Sequence, residues 1–206
     1  MREIHTPLDD DTIQNLKEGE MILLSGAVYT ARDAAHKKLA ALIDGGLPLP
    51  FSFEGQAVFY AGPCPAPPGK VIGSVGPTTG GRMDAYSPLL IEHGLKVMIG
   101  KGARNDEVKR AIKQFKGVYL TAIGGAAALT ARCVRDVQLI AFEELGTEAI
   151  RLLTVDKLPL YVAIDSNTAV IGNRGTGFTH PNIVKSNWQP GSESTFIMPS
   201  NVWAVN

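Results

Sequence analysis

The stretch MILLSGAVYTARDAAHKKLAAL, Met21 to Leu42, sets a continuous apolar run directly before an amphipathic one. Met21 to Tyr29 reads as a buried strand, because a short apolar run suits a strand covered on both faces. Thr30 and Asp33 give a capping-box-like start to a helix that carries Arg32, Ala35, Leu39 and Leu42, and Gly45-Gly46 stops it. The unit of strand, glycine turn and helix then recurs. Val71 to Val75 predicts a strand, Gly76 to Gly81 a turn, and Arg82 to His93 a helix that ends at Gly94. Leu95 to Ile99 predicts the next strand and Gly100-Lys101-Gly102 the next turn. A helix follows from about Asn105 to Phe115, with Val108, Ile112 and Phe115 on one face.

The remaining punctuation fills in the same pattern. Gln56 to Ala61 is a short apolar strand running into GPCPAPPGK, whose prolines require a surface loop. Val118 to Ala122 is a strand, Gly124-Gly125 opens the short helix AAALTAR, and Val134 to Phe142 is again a strand. Val155 to Ile164 predicts a strand pair, since Leu-Pro-Leu interrupts it. The expected fold class is α/β, in one domain over residues 1–165, with a poorly specified extension over residues 166–206 that carries Trp188, Phe196 and Trp203.

Composition removes several function classes. Lysine plus arginine equal aspartate plus glutamate at 20 each, so no global positive field draws the chain to nucleic acid or anionic membranes. No apolar stretch approaches the length of a membrane span, and the N-terminus has no apolar signal core, so a cytoplasmic protein is expected. Cys64 and Cys133 are the only cysteines and have no CxxC spacing, which suggests neither a disulfide framework nor a zinc site. They are also too few for an iron-sulfur cubane, which takes three thiolates even with one iron open.

GPTTGGRMD, Gly76 to Asp84, places two hydroxyls, permissive glycines and Arg82 where a strand ends and a helix is expected. Such an end attracts carboxylates or phosphates through its unpaired amides, and Arg82 adds a two-pronged donor. The alternative is a plain turn with Thr78 or Thr79 as N-cap and Arg82 in solvent. It is not a nucleotide-phosphate loop of the Lys-Ser or Lys-Thr kind, because Arg82-Met83 follows Gly81. Lys101 occupies the equivalent turn after the next strand, and Arg32 the turn after Tyr29. In an open α/β sheet these turns gather at one rim, so Arg32, Thr78, Arg82 and Lys101 are expected to converge. His36 is read as a structural helix residue, and Asp84, Glu143 and Glu144 as caps or surface carboxylates. A cationic rim with hydroxyls and no electrophile suits a dicarboxylate.

The segments TARDAAHKK, FYAGPCPAPPGKVIGSVGPTTGGRMD, IGKG, GVYLTAIGGAAA and EELGTEAI, in this order, resemble the beta subunit of class I iron-sulfur fumarate hydratases. The related beta subunit of L(+)-tartrate dehydratase shares the scaffold. The resemblance runs over roughly Thr6 to Asp165. It implies a swivelling β/β/α domain, a layered sheet with helices, that closes over a 4Fe-4S cluster held by three cysteines of an alpha subunit in an alpha2beta2 assembly. It also implies that Arg32, Thr78, Arg82 and Lys101 contact the dicarboxylate, with Thr79 shaping the loop or adding one contact.

The activity implied is reversible hydration of fumarate to (S)-malate. Thr78 and Lys101 are the catalytic candidates, Thr78 as base or proton relay and Lys101, or a carboxylate of the partner, as the group that activates it. The chain alone is expected to be inactive and to bind no cluster. Two alternatives stand beside this one: the tartrate dehydratase subunit, and a dicarboxylate-binding module without catalysis.

Overall fold

The computed structural model describes residues 2–122 and 127–167. In chain order the elements are β1 (Arg2–His5), α1 (Asp10–Gln14), β2 (Met21–Thr30), α2 (Asp33–Asp44), β3 (Ala57–Phe59), α3 (Ser87–Glu92) and β4 (Val97–Gly100). They continue with α4 (Asp106–Gln114), β5 (Val118–Ala122), α5 (Ala127–Cys133), β6 (Val134–Ala141) and β7 (Ile150–Ile164). Single 3-10 segments cover Gly80–Met83 and Glu143–Glu148. The α/β expectation holds as a mixed sheet with helices. From residue 168 onward the expected extension lies outside the described residues.

Strands β2, β3, β4 and β5 are mutually parallel neighbours, and β7 runs antiparallel to both β5 and β2. The pairings therefore return to their starting strand, and the sheet closes on itself. Alternation along each strand sorts side chains onto two faces. Ile22, Leu24, Phe59, Ile99, Leu120 and Leu160 join one core cluster. Val58, Tyr60, Met98 and Tyr119 point the other way, into a second cluster with Leu39 of α2, Leu90 of α3 and Ile112 of α4. Two opposite apolar faces explain why these strands read as unbroken apolar runs.

Four sequence expectations are corrected. Val71 to Val75 forms no strand; Ile72 and Val75 are buried, but the backbone folds against the proline loop, with Cys64 N–H donating to Ser74 O at 3.0 Å and Gly73 N–H to Cys64 O at 3.2 Å. Arg82 to His93 is not one helix but the 3-10 turn followed by α3, whose first turn holds Pro88. The 155–164 region is a single strand rather than a pair: β6 pairs with β7 up to Val155 and β5 pairs from Leu160, so Pro159 stands where one edge of β7 is unpaired. Its missing N–H costs no ladder bond on that edge. Finally, Thr30 does not cap α2. Its hydroxyl accepts from Arg151 N–H at 3.1 Å because β2 extends through it, and the free amide of Ala34 is taken instead by Glu148 Oε2 at 3.0 Å.

Candidate functional site

Because β2, β3 and β4 are parallel, their carboxyl ends lie side by side, and each leads into a segment carrying candidate residues. Backbone bonds continue beyond the strands: Ala31 N–H to Phe59 O at 3.0 Å, Tyr60 N–H to Ile99 O at 2.8 Å, and Thr78 N–H to Tyr60 O at 2.6 Å. Thr79 and Lys101 pair as a parallel bridge, with Lys101 N–H donating to Thr78 O at 3.1 Å and Gly80 N–H to Lys101 O at 2.8 Å. The two glycine turns thus share one rim.

Arg32 occupies the N-cap position of α2, and Asp33 follows in its first turn, where a carboxylate is favoured by the helix dipole. Asp33 Oδ1 accepts from Arg82 Nε at 2.8 Å, and Asp33 Oδ2 lies 3.5 Å from Arg32 Nη2. The same Arg32 nitrogen is 3.4 Å from Glu148 Oε1. One carboxylate therefore gathers both arginines, and a second, Glu148, holds Arg32 from the 3-10 segment after β6. Glu148 has no signal in the sequence that would tie it to Ala34 and Arg32.

Arg82 uses Nε toward Asp33, which leaves its terminal nitrogens without a protein partner among the described residues. That end of a guanidinium is the fork that grips a carboxylate. Thr79 and Lys101 are exposed and Thr78 is half-buried. Among the described residues the Thr78 and Thr79 hydroxyls and the Lys101 ammonium make no side-chain bond. Thr79 stands at the N-cap position of the 3-10 turn without capping it. That turn spans four residues, too short for the helix-dipole attraction expected from sequence, so any anion there meets mainly side chains. Two cations, Arg32 and Arg82, meet the carboxylates Asp33 and Glu148, and Lys101 stands on the neighbouring glycine turn.

Beneath this rim lies a buried polar cluster. Arg104 is fully buried and donates through Nε to Asp84 Oδ1 at 2.6 Å, through Nη2 to Ser87 Oγ at 2.6 Å and through Nη1 to Tyr60 Oη at 3.3 Å. Asp84 Oδ2 accepts from Asn105 N–H at 2.7 Å. The guanidinium also sits over the rings of Tyr119 and Tyr60, 4.8 and 5.3 Å from their centroids. Asp84, expected as a cap or a surface carboxylate, is a buried ion-pair partner that also accepts from the amide of Asn105, the N-cap residue of α4. Glu144 is exposed and bonds Lys38, as a surface group should.

Two glycines make this layering possible. A Cβ on Gly80 would lie 2.5 Å from Tyr119 Oη and 2.8 Å from Arg104 Cδ, and one on Gly100 would lie 2.8 Å from the same hydroxyl. Gly80→Ala should therefore cost about 1–3 kcal/mol by overpacking. Thermal melts of Gly80→Ala with and without Tyr119→Phe check this. Tyr119→Phe should recover part of the loss, since its hydroxyl is buried with no partner among the described residues. Equal melts for wild type and Gly80→Ala would contradict it.

His36 is completely buried, with Nδ1 3.0 Å from Arg32 O and its ring edge-on to Tyr60 at 5.1 Å. A carbonyl can only accept, so Nδ1 carries the proton of a neutral ring. Burial pushes the pKa down to about 4, with the Arg32 carbonyl opposing the shift. The folded state therefore binds this proton less readily than the unfolded chain, whose histidine titrates near 6.5. The stability present above that pH should fall as pH drops toward 4, by about 3 kcal/mol for this group. Denaturant melts between pH 7 and pH 4 on wild type and His36→Gln check this, the variant being the flatter of the two.

Cys64 is exposed in the proline loop, Cys133 is partly buried at the end of α5, and both thiols are free. Among the described residues no three His, Cys, Asp or Glu side chains gather as metal ligands. No helix among them is long and apolar enough to cross a membrane.

Residues 3–173 match the family model described as Fumarase C-terminus. "Fumarate hydratase 2" of Leishmania major is 40% identical over 149 residues, which is 71% of this chain and 26% of that protein. "Fumarate hydratase class I, anaerobic" of Escherichia coli (strain K12) is 42% identical over 144 residues, 69% of this chain and 26% of that protein. "L(+)-tartrate dehydratase subunit beta" of the same strain is 32% identical over 167 residues, 79% of this chain and 82% of that protein. The chain thus spans about a quarter of the length of the fumarate hydratases it matches and most of the tartrate dehydratase subunit.

Proposed function

Since the chain belongs to the Fumarase C-terminus family, whose relatives here are hydro-lyases, we propose that it acts as the beta subunit of a class I fumarate hydratase. In this reading it supplies the dicarboxylate-binding residues for reversible hydration of fumarate to (S)-malate. The observation that carries the proposal is the meeting of Arg32 and Arg82 at Asp33 beside the Thr79–Lys101 bridge, on one rim.

A 4Fe-4S cluster belongs to the same reading, but the described residues of this chain do not fit one: they offer two separated thiols and no ligand cluster. The cluster is assigned to an alpha subunit in an alpha2beta2 assembly, over which a swivelling β/β/α domain closes. The residues present bind and orient. The free fork of Arg82 takes one carboxylate, and Arg32 and Lys101 offset the remaining negative charge, including that which develops as a proton leaves carbon. Thr78 holds or relays that proton. A neutral hydroxyl is a poor base, and Lys101, joined to Thr78 by the backbone bond at 3.1 Å, is the neighbouring group that assists it.

Anaerobic co-purification with the partner, iron analysis, and rates with fumarate, (S)-malate and L(+)-tartrate test this. The complex should hold iron and hydrate fumarate, while the chain alone should do neither. An iron-bearing, active preparation of this chain alone would overturn the proposal. Coverage of 82% of the tartrate dehydratase subunit favours that enzyme as the second reading, and turnover of L(+)-tartrate in preference to malate would establish it.

A further inference from the structure

We infer that Arg104 is a positioning residue: held in place by Asp84, it fixes the Thr78–Arg82 loop against the Lys101 turn. This inference rests on the dicarboxylate reading of that rim. Arg104 follows the Lys101 turn directly, and Asp84 ends the 3-10 turn that carries Arg82. Their bond at 2.6 Å, with the Asp84 to Asn105 amide bond at 2.7 Å, ties the far side of one loop to the far side of the other. On the near side the loops are joined by two backbone bonds, Lys101 N–H to Thr78 O and Gly80 N–H to Lys101 O. Along the loop Arg82 thus sits between a two-bond clasp made by Thr78, Gly80 and Lys101 and a buried ion pair at Asp84.

Stability alone is a weak reason for such a pair. Taking both charges out of water costs much of what their attraction returns, and apolar groups of similar volume often serve as well or better. What apolar groups cannot reproduce is direction. The Arg104 donors meet Asp84, Ser87 and Tyr60 through three different nitrogens, which fixes the direction of the guanidinium and, through Asp84, orients the loop. Neither Arg104 nor Asp84 need touch substrate; they act through Arg82, Thr78 and Lys101.

The test is the double variant Arg104→Met/Asp84→Asn, which removes both charges together and leaves a carboxamide oxygen for the Asn105 amide. Hydrogen exchange on the full chain should show the Gly80 and Lys101 amides opening about 10-fold or more faster than in wild type, with the Met98 and Ile99 amides of β4 unchanged. In the assembled enzyme kcat/KM should fall by about 10- to 100-fold at a nearly unchanged melting temperature, as expected when reacting groups are misplaced by about 1 Å. Where the double variant does not fold, Arg104→Lys keeps a charge against Asp84 while losing the fork, and the same local rise in exchange is expected. Unchanged Gly80 and Lys101 exchange, or unchanged kcat/KM beside an active wild-type complex, would overturn the positioning role. A wild-type complex that turns over none of the dicarboxylates would overturn the functional reading instead, and the exchange result would still decide whether Arg104 holds the loops.

Discussion

Asp84→Ala should lower the stability of the fold by about 3–5 kcal/mol, because it leaves the Arg104 guanidinium buried without its counter-charge. The Arg104 side chain is 0% exposed and that of Asp84 10% exposed, so water cannot replace the lost carboxylate. The same substitution frees the Asn105 amide at the start of α4, next to the N-cap bond that Val108 N–H donates to Asn105 Oδ1 at 2.8 Å. In a thermal melt the loss corresponds to a fall on the order of 10 °C for a domain of this size. A loss under about 1 kcal/mol would mean that Asp84 behaves as a solvated surface carboxylate. Removing one partner is the severe case; removing both charges together is expected to be mild.

Arg82→Lys should cost the assembled enzyme about 2–4 kcal/mol of transition-state stabilisation, read as kcat/KM. Arg82 meets Asp33 through Nε at 2.8 Å, and in the proposed reading its terminal nitrogens, unbonded among the described residues, take a substrate carboxylate. Lysine has one nitrogen for both tasks, so it either loses the orienting carboxylate or presents a single point of charge. The fold should hardly notice. Arg82 is 53% exposed, and an exposed pair of this kind is worth about 0–1 kcal/mol at most. Rates and melting measured on the same complex separate the two effects, and unaltered kcat/KM would remove Arg82 from the site.

What the sequence disclosed followed its apolar periodicity. β2 with α2, β4 with α4, and β5 were readable from their apolar runs and amphipathic spacing, helped by Gly45 as the C-cap of α2 and Gly100 at the end of β4. Val71 to Val75 misled, because Ile72 and Val75 are apolar for burial beneath a loop rather than for a ladder. The gathering of Arg32, Thr78, Arg82 and Lys101 on one rim followed from parallel strand order, which fixes where loops emerge before any side chain is considered. The supports beneath the rim were not readable. Arg104 and Asp84 are 20 residues apart and Glu148 is 114 residues from Ala34; no local spacing links the first pair, which the parallel neighbours β3 and β4 bring together, or the second, which the pairing of β7 with β2 brings together.

That closure has a consequence for synthesis. β7 is the last described strand, yet it supplies the antiparallel partner for β2, pairing Met21 with Tyr161 and Thr30 with Arg151. On the ribosome, β2 must wait for well over a hundred residues before its second edge is covered, and β5 has no other strand on its outer side until Leu160 emerges. Until then the nascent sheet offers two apolar, unpaired edges, the kind of surface that invites pairing with another chain. A ribosome stall or truncation before Ile150 would release the molecule in that open form, so the quality of the preparation depends on synthesis reaching β7.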